Sequence, residues 1–310
     1  MSEPLRLGSL FSGFGGLDLA IESVFGARTV WVSDIDKGAC KVLAHRFPHA
    51  PNLGDITKVD WSTVEPVDII AGGSPCQDIS SAGRMAGMRE GTRSNLWVEM
   101  RDAIATIRPR YVVWENVSAA RSTTAASAME SDPRLLGEAV PGRPVLRALG
   151  RVLGDLAGLG LSAEWISVRA SDIDAPHSRK RVFVLAAHPD REGLQERGNQ
   201  GEFPAAVVET RAAIGGGAGL RFGRFGEAVS RWERHLGRVA PEPMNVGPGG
   251  RPKLNPLFAE WMMGAGAGWI CDVPGVTDNE ALKMAGNGVI QQQAEAALRL
   301  MLQRMARVAA

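Results

Sequence analysis

With 310 residues, 45% of them hydrophobic, this chain can bury a large core, so disorder is not expected. Its net charge of +1, from 35 Lys plus Arg against 34 Asp plus Glu, neither announces nor excludes a nucleic-acid partner. No run reaches the roughly 18 apolar residues of a membrane span, no basic-then-apolar leader opens the chain, and Cys40, Cys76 and Cys271 form no CxxC pair, which argues for a soluble intracellular protein without zinc or disulfides.

Short apolar runs at residues 6–10, 30–33, 67–71, 111–114, 164–168 and 181–186 read as buried strands. Between them, residues 17–25, 37–47, 95–107 and 145–159 have amphipathic patterns of helical length. Alternating strands and helices predict an α/β fold, a doubly wound and mostly parallel sheet covered on both faces. Ligands then collect beyond the carboxyl ends of the strands, where the residues after each run lie. Residues 118–140, rich in Ser, Ala and Thr, look like an inserted surface loop. From 188 to 250 the pattern dissolves into Gly, Pro and Arg, which predicts a small, irregular lobe. Between His188 and Lys253 there are ten Lys plus Arg against eight Asp plus Glu, so the lobe is weakly basic. Helical periodicity returns after Pro256, and residues 251–310 are expected to rejoin the first domain, residues 1–187.

The segment LGSLFSGFGGLDLAIE sets a strand, the glycines Gly13, Gly15 and Gly16, and a helix in immediate succession. Glycines allow a sharp turn and close approach by a ligand, and the free N–H groups of the helix start favour an anionic group. The spacing is not that of a GxGxxG fingerprint, and a purely structural turn has the same outline. About twenty residues on, WVSDIDK ends the second strand with Asp34 and Asp36. A carboxylate there suits ribose hydroxyls, and Ile35 could cover a flat base. Asp36 reads equally well as the cap of the helix from Lys37. Gly54, Asp55 and Ile56, after what reads as a further short strand, repeat the pattern, and together these strand ends favour an adenosine-containing ligand.

In AGGSPCQDISSAG, Cys76 follows Pro75 directly after a strand and two glycines, unlike a structural cysteine, which would sit inside an apolar run. A thiol near helix-start N–H groups or cations is activated as a thiolate nucleophile. Cys40 and Cys271 read as packed thiols. The strand YVVWENV brings Glu115 and Asn116 to the same sheet edge, where a desolvated carboxyl can stay protonated. In HSRKRVFVLAA, Arg179 and Arg181 share a face, with guanidiniums suited to a phosphate or a ring carbonyl.

Taken in order, FSGFGG, SDIDK, GDIT, GGSPCQ, ENV, RKR, RPKLNP and AGNGVI resemble the cytosine-5 DNA methyltransferase family. The resemblance spans the chain apart from the irregular lobe. It implies a seven-stranded sheet with the last strand antiparallel and S-adenosylmethionine as cofactor. It further implies a target-recognition lobe between RKR and RPKLNP, and a final segment that folds back over the cofactor. Carried over residue by residue, it makes Phe11, Gly13, Gly15 and Leu17 cofactor contacts, puts Asp34 on the ribose and Ile35 beside the adenine, and sets Asp55 and Ile56 at the adenine edge. Gly73, Pro75 and Leu96 shape the wall near the methyl donor, and Asn287 and Val289 close the pocket. Cys76 becomes the attacking thiolate and Glu115 the proton donor to ring N3, while Asn116, Arg179 and Arg181 fix the flipped cytosine and the Cys loop. Two departures stand out. His177 replaces the frequent Gln of the QxRxR pattern, and Gly288 replaces a frequent Ser, a change expected to be tolerated in a turn.

The implied partner is double-stranded DNA, with no metal and no membrane, and the protein is expected to be monomeric in the cytoplasm of a bacterium or phage-infected cell. A base buried in a duplex must be extruded before it can react. Arg84, Arg89 and Arg93 in a glycine-rich stretch are candidate phosphate contacts of a closing loop, and Arg221, Arg224, Arg231 and Arg234 are candidate readers of guanine edges. The alternatives are an RNA cytosine-5 methyltransferase, a DNA-binding relative without catalysis, and a nucleotide-dependent oxidoreductase. The oxidoreductase leaves the PCQ and ENV segments unexplained.

Overall fold

The computed structural model of the chain describes residues 3–74, 96–117, 148–188 and 221–309. In the main sheet, β1 (Leu5–Leu10) lies between β2 (Ala27–Ser33) and β3 (Ile69–Gly72). The order then runs through β4 (Tyr111–Val117) and β6 (Lys180–Ala187) to β5 (Ser162–Arg169) at the edge. The first four strands pair in parallel, and β6 is antiparallel to both of its neighbours. The sheet is therefore mostly parallel, as anticipated.

The described residues hold six strands in this sheet, not seven. Where a further strand was expected, just before Gly54, there is an isolated parallel bridge between Val32 and Asn52. The Val32 N–H donates to the Pro51 carbonyl at 3.0 Å and the Leu53 N–H donates back to the Val32 carbonyl at 2.8 Å, but Pro51 has no N–H to form the preceding rung, so the pairing is confined to this one bridge.

Successive strand residues point to opposite faces. Leu7, Ile69, Val113, Phe183 and Leu185 pack under α1 (Gly16–Phe25) and α8 (Gln291–Ala309), against Leu17, Ile21, Leu298 and Met301. Ile70, Val112, Trp114, Val182 and Val184 face the other way. They meet Trp97, Met100 and Ile104 of α3 (Leu96–Ile107) and Val152 and Leu156 of α4 (Ala148–Gly158). Burial on both faces explains why these strands read as unbroken apolar runs.

A third buried cluster joins α2 (Lys37–Arg46), α5 (Gly226–Leu236), α6 (Pro256–Met262) and α7 (Asp278–Asn287) through Val42, Trp232, Trp261 and Met284, and includes Phe14. Two of these helices were not anticipated. Helix α5 falls in the stretch expected to be irregular, because its buried apolar positions, Val229 and Trp232, are diluted by Glu and Arg on the exposed face. Trp232 Nε1 donates to the Trp261 carbonyl at 3.0 Å and ties α5 to α6. A short hairpin, β7 (Met244–Val246) with β8 (Pro252–Leu254), connects them. Helix α7 had a signal in the sequence that went unread: Thr277 and Glu280 form a reciprocal capping box at its start. Among the described residues, no helix is long and apolar enough to cross a membrane, and no group of three or more His, Cys, Asp or Glu could hold a metal.

Candidate active site

The carboxyl ends of β1 to β4 open into one cavity of about 830 Å³, a size that suits a cofactor or a small ligand. It gathers residues from positions 9 to 289. Phe11, Gly13, Leu17, Asp34, Ile35, Asp55, Ile56, Gly73, Leu96, Glu115, Asn116, Arg181, Asn287 and Val289 all line it. Gly15 caps α1 and lies against Phe47 instead of in the wall. Pro75, Cys76, Arg84, Arg89 and Arg93 lie outside the described residues, as do residues 118–140 and residues 189–220 of the lobe.

One side chain ties the glycine loop to the end of β2. Asp34 accepts from the Gly13 N–H through Oδ2 at 2.9 Å and from the Asp36 N–H through Oδ1 at 2.8 Å. Burial raises its pKa, and these two N–H groups oppose the rise. Each oxygen keeps a second lone pair for a ligand hydroxyl. Beside it Ile35 is 71% exposed in the cavity wall, an apolar surface left open for a planar ring. Asp36 does cap α2, accepting from the Gly38 and Ala39 N–H groups at 3.0 and 3.2 Å, and it also pairs with Lys283 of α7. Asp55 caps a single turn by accepting from the Thr57 N–H at 3.1 Å. Thr57 also holds its carboxyl below the usual range.

At the other end, Glu115 is buried at the tip of β4, and Arg181 Nε lies 2.8 Å from its Oε1. The approach is off the line of a regular hydrogen bond, so Oε1 is ion-paired without a well-aligned donor. Burial raises the Glu115 pKa, and the charges of Arg181 and Arg179 work against it. Gly73 makes this placement possible, since a Cβ there would stand 2.7 Å from Glu115 Oε2. Next along the strand, Asn116 Nδ2 donates to the Ser74 carbonyl at 3.3 Å, and Trp114 Nε1 donates to Ser74 Oγ at 3.1 Å. The residue two before Cys76 is thus anchored to β4.

Arg179 does not line the cavity. Its guanidinium donates to the carbonyls of Gly286 and Gly288, at 2.5 and 2.8 Å, and so grips the turn that carries Asn287 and Val289 into the wall. Burial brings its pKa down to about 10. His177 supports it: the Arg179 N–H donates to His177 Nδ1 at 3.4 Å, and Nε2 faces the Met262 carbonyl at 3.3 Å. A neutral ring protonated on Nε2 satisfies both contacts, and burial, which lowers the His177 pKa, favours that form.

Gly288 is more constrained than a turn position need be. A Cβ there would come within 2.0 Å of the Phe14 ring and 3.0 Å of the Met284 carbonyl, and Phe14 is buried. Gly288→Ser is therefore expected to destabilise the protein by about 1–3 kcal/mol through overpacking. Urea unfolding would measure the loss, and adding Phe14→Leu should recover part of it. An unchanged midpoint in the single variant would refute the close packing.

The remaining thiols are not activated. Cys40 and Cys271 are half-buried, their pKa values are raised, and Cys271 is pushed up to about 12, chiefly by burial. Of the arginines expected to read DNA, Arg221 pairs with Glu242, and Arg231 pairs with Glu227 and Asp174. Arg224 stacks over the Phe225 ring, and Arg234 is exposed. The sequence reading missed Asp18, Glu280, Lys283 and Met284, all of which line the cavity. The capping box of α7 would have revealed the last three.

Residues 5–215 match the family model described as C-5 cytosine-specific DNA methylase. The chain belongs to that family. Among its methylase relatives, Type II methyltransferase M.DsaV of Dactylococcopsis salina is 27% identical over 214 residues, 68% of this chain and 52% of the relative. Type II methyltransferase M1.ScrFI of Lactococcus lactis subsp. cremoris is 28% identical over 217 residues, 66% of this chain and 50% of the relative. DNA N-6-adenine-methyltransferase of Escherichia phage P1 is 28% identical over 258 residues, 68% of this chain and 34% of the relative. The chain thus spans about half the length, or less, of these relatives. In solved structures the fold of this chain resembles that of the S. pombe Dnmt2 methyltransferase, with a TM-score of 0.58 at 14% identity over 97% of this chain and 99% of that one. It also resembles a DNA modification methyltransferase encoded within an E. coli prophage, with a TM-score of 0.56 at 18% identity over 99% of this chain and 100% of that one.

Proposed function

We propose that this methylase transfers a methyl group from S-adenosylmethionine to C5 of a flipped-out cytosine in double-stranded DNA, through a covalent bond between Cys76 and ring C6. The observation that carries the proposal is a buried carboxyl with a raised pKa, Glu115, at the end of the strand that anchors Ser74, two residues before the thiol.

The cavity fits the cofactor. Asp34 has lone pairs for ribose hydroxyls, the exposed Ile35 offers a surface for the adenine, and the Arg179-held turn closes the opposite side. When bound, S-adenosylmethionine supplies an electrophilic methyl group. The Cys76 thiolate adds to C6 and makes the ring an enamine whose C5 is nucleophilic. Glu115 offsets the charge this leaves on the ring by protonating or hydrogen-bonding N3, and Arg181 holds its carboxyl in place. Loss of the C5 proton and expulsion of the thiol then restore the aromatic ring. Asn116 acts on the Cys loop through Ser74, and Arg179 acts on the cofactor side. DNA is gripped by Arg84, Arg89 and Arg93. Arg224 and Arg234 are the leading contacts in the lobe, since carboxylates already hold Arg221 and Arg231. The protein works as a cytoplasmic monomer in a bacterium or a phage-infected cell.

Transfer to adenine N6, the reaction named for one relative, needs no thiol nucleophile, and the pairing of Cys76 with Glu115 favours cytosine. The test is transfer of labelled methyl groups from the cofactor to duplex DNA, followed by mapping of the modified base. Label on cytosine C5 in the parent, and none with Cys76→Ala, is the expected result. A Cys76→Ala protein that methylates at the parent rate would sink the mechanism, and label on adenine or only on RNA would sink the substrate assignment.

A further inference from the structure

The glycine loop between β1 and α1 is poorly determined by its own sequence. Phe11, Gly13 and Gly15 have positive φ values of 55°, 58° and 87°, and the two glycines adopt either sign at little cost. Such a loop needs holding from outside, because every alternative shape open to it must be given up when a ligand binds. Three holds are present. The Gly13 N–H is tied to Asp34, and the ring of Phe14 lies against Gly16 and Gly288. The third comes from a residue 255 positions away, where Trp269 Nε1 donates to the Phe14 carbonyl at 2.8 Å. The Gly15 N–H donates to the Ser12 carbonyl at 2.9 Å, so both ends of the Phe14–Gly15 peptide are bonded. That plane cannot flip without losing two hydrogen bonds.

Phe14 lines the cavity, whereas Trp269 is not part of its wall. The indole is itself firmly aimed. Arg46 of α2 donates to the Trp269 carbonyl at 2.9 Å and to the Gly268 carbonyl at 2.5 Å, and its guanidinium lies 5.0 Å from the centre of the indole ring. Phe47 meets that ring edge-on at 6.1 Å and fills the space beside Gly15. On the main chain, the buried carboxylate of Glu260 in α6 accepts from the N–H groups of Gly268, Ile270 and Cys271 at 2.8, 2.8 and 2.9 Å. An ordinary explanation of a half-buried tryptophan is packing. Packing accounts for the ring, since a phenylalanine would fill much of the same space, but not for an N–H directed at one carbonyl of the glycine loop.

We propose that Trp269 is a positioning residue of the methyl-donor site. From the turn after α6 it fixes the Phe14–Gly15 peptide, so that the glycine loop stands in its binding shape before the donor arrives. The inference rests on the reading of the cavity as an S-adenosylmethionine site. Trp269→Phe keeps a ring for Arg46 and Phe47 and removes the N–H. Trp232→Phe is the control, because it removes an indole N–H in the same buried cluster whose hydrogen bond runs to α6 instead of the glycine loop. In amide hydrogen exchange on the ligand-free protein, residues 11–16 should open about 5- to 10-fold more readily in Trp269→Phe, the worth of one hydrogen bond, and no more readily in Trp232→Phe. Titration calorimetry with S-adenosylhomocysteine should show a loss of affinity of the same size in Trp269→Phe alone. In methyl transfer that loss should appear in the KM for the donor more than in kcat. A Trp269→Phe protein whose loop exchanges like the parent's, or that binds S-adenosylhomocysteine as tightly, would overturn the proposal. So would an equal loss of affinity in Trp232→Phe, which would mark a general effect of destabilising the cluster. Wild-type protein that binds no S-adenosylhomocysteine would overturn the cofactor reading and with it the role of Trp269 in that site, whereas the exchange result judges the hold on the loop by itself.

Discussion

Glu115→Gln is expected to lower kcat about 10²–10⁴-fold while leaving the fold in place. Glutamine keeps the shape of the side chain and can offer a hydrogen bond, but it cannot deliver a proton. The wild-type carboxyl must be protonated to act as an acid. Burial raises its pKa, so the active fraction is full at low pH and falls as pH rises through that raised value. Methyl-transfer rates should therefore decline on the alkaline side in the parent, and this limb should vanish in the variant. A loss of under about threefold, far short of the range for general acid catalysis, would remove Glu115 from the chemistry.

Arg181→Met should be the most damaging change to stability, about 3–5 kcal/mol, because it strands a carboxylate whose side chain is only 9% exposed. Arg181 is the largest influence that holds the Glu115 pKa down, so without it the raised pKa climbs further. A carboxyl whose folded pKa exceeds its unfolded one contributes stability at low pH and loses it as pH rises through the folded value. The destabilisation should accordingly be small in acid and large at alkaline pH. Adding Glu115→Gln should restore much of the loss, and the double-mutant cycle would measure the coupling between the two side chains. A deficit that ignores pH, or that the second substitution leaves untouched, would show that Arg181 matters for packing and not for charge.

Sequence patterns revealed those parts of the fold that depend on neighbours along the chain. Strands buried on both faces have continuous apolar runs, so β1, β3, β4 and β6 were legible, and β2 and the half-exposed edge strand β5 kept enough of the pattern to be read as well. The strand-end motifs carried Asp34, Glu115 and Asn116 to the cavity for the same reason, since each sits just past a strand or near its tip, and Asp55 reaches it three residues after the isolated bridge at Asn52. Helix α5 was hidden because exposed charges outnumber its buried apolar positions. The strand expected before Gly54 is reduced to a single bridge, with Pro51 unable to donate the rung before it.

Other features follow from packing between distant segments. Arg179 looked like a group for the substrate, yet its hydrogen bonds run to carbonyls 107 and 109 residues away. Gly288 looked like a permissive turn, and its hydrogen faces the ring of Phe14. Asp18 gave no signal at all in a helix start rich in glycine, because full burial is a property of everything around a carboxyl and not of its own neighbours in the chain. Residue order can encode which chemistry meets at the end of a strand. Whether a charge finds a partner or a side chain finds room is decided when α7 and α8 close over α1, for desolvation and steric fit belong to the assembled surroundings.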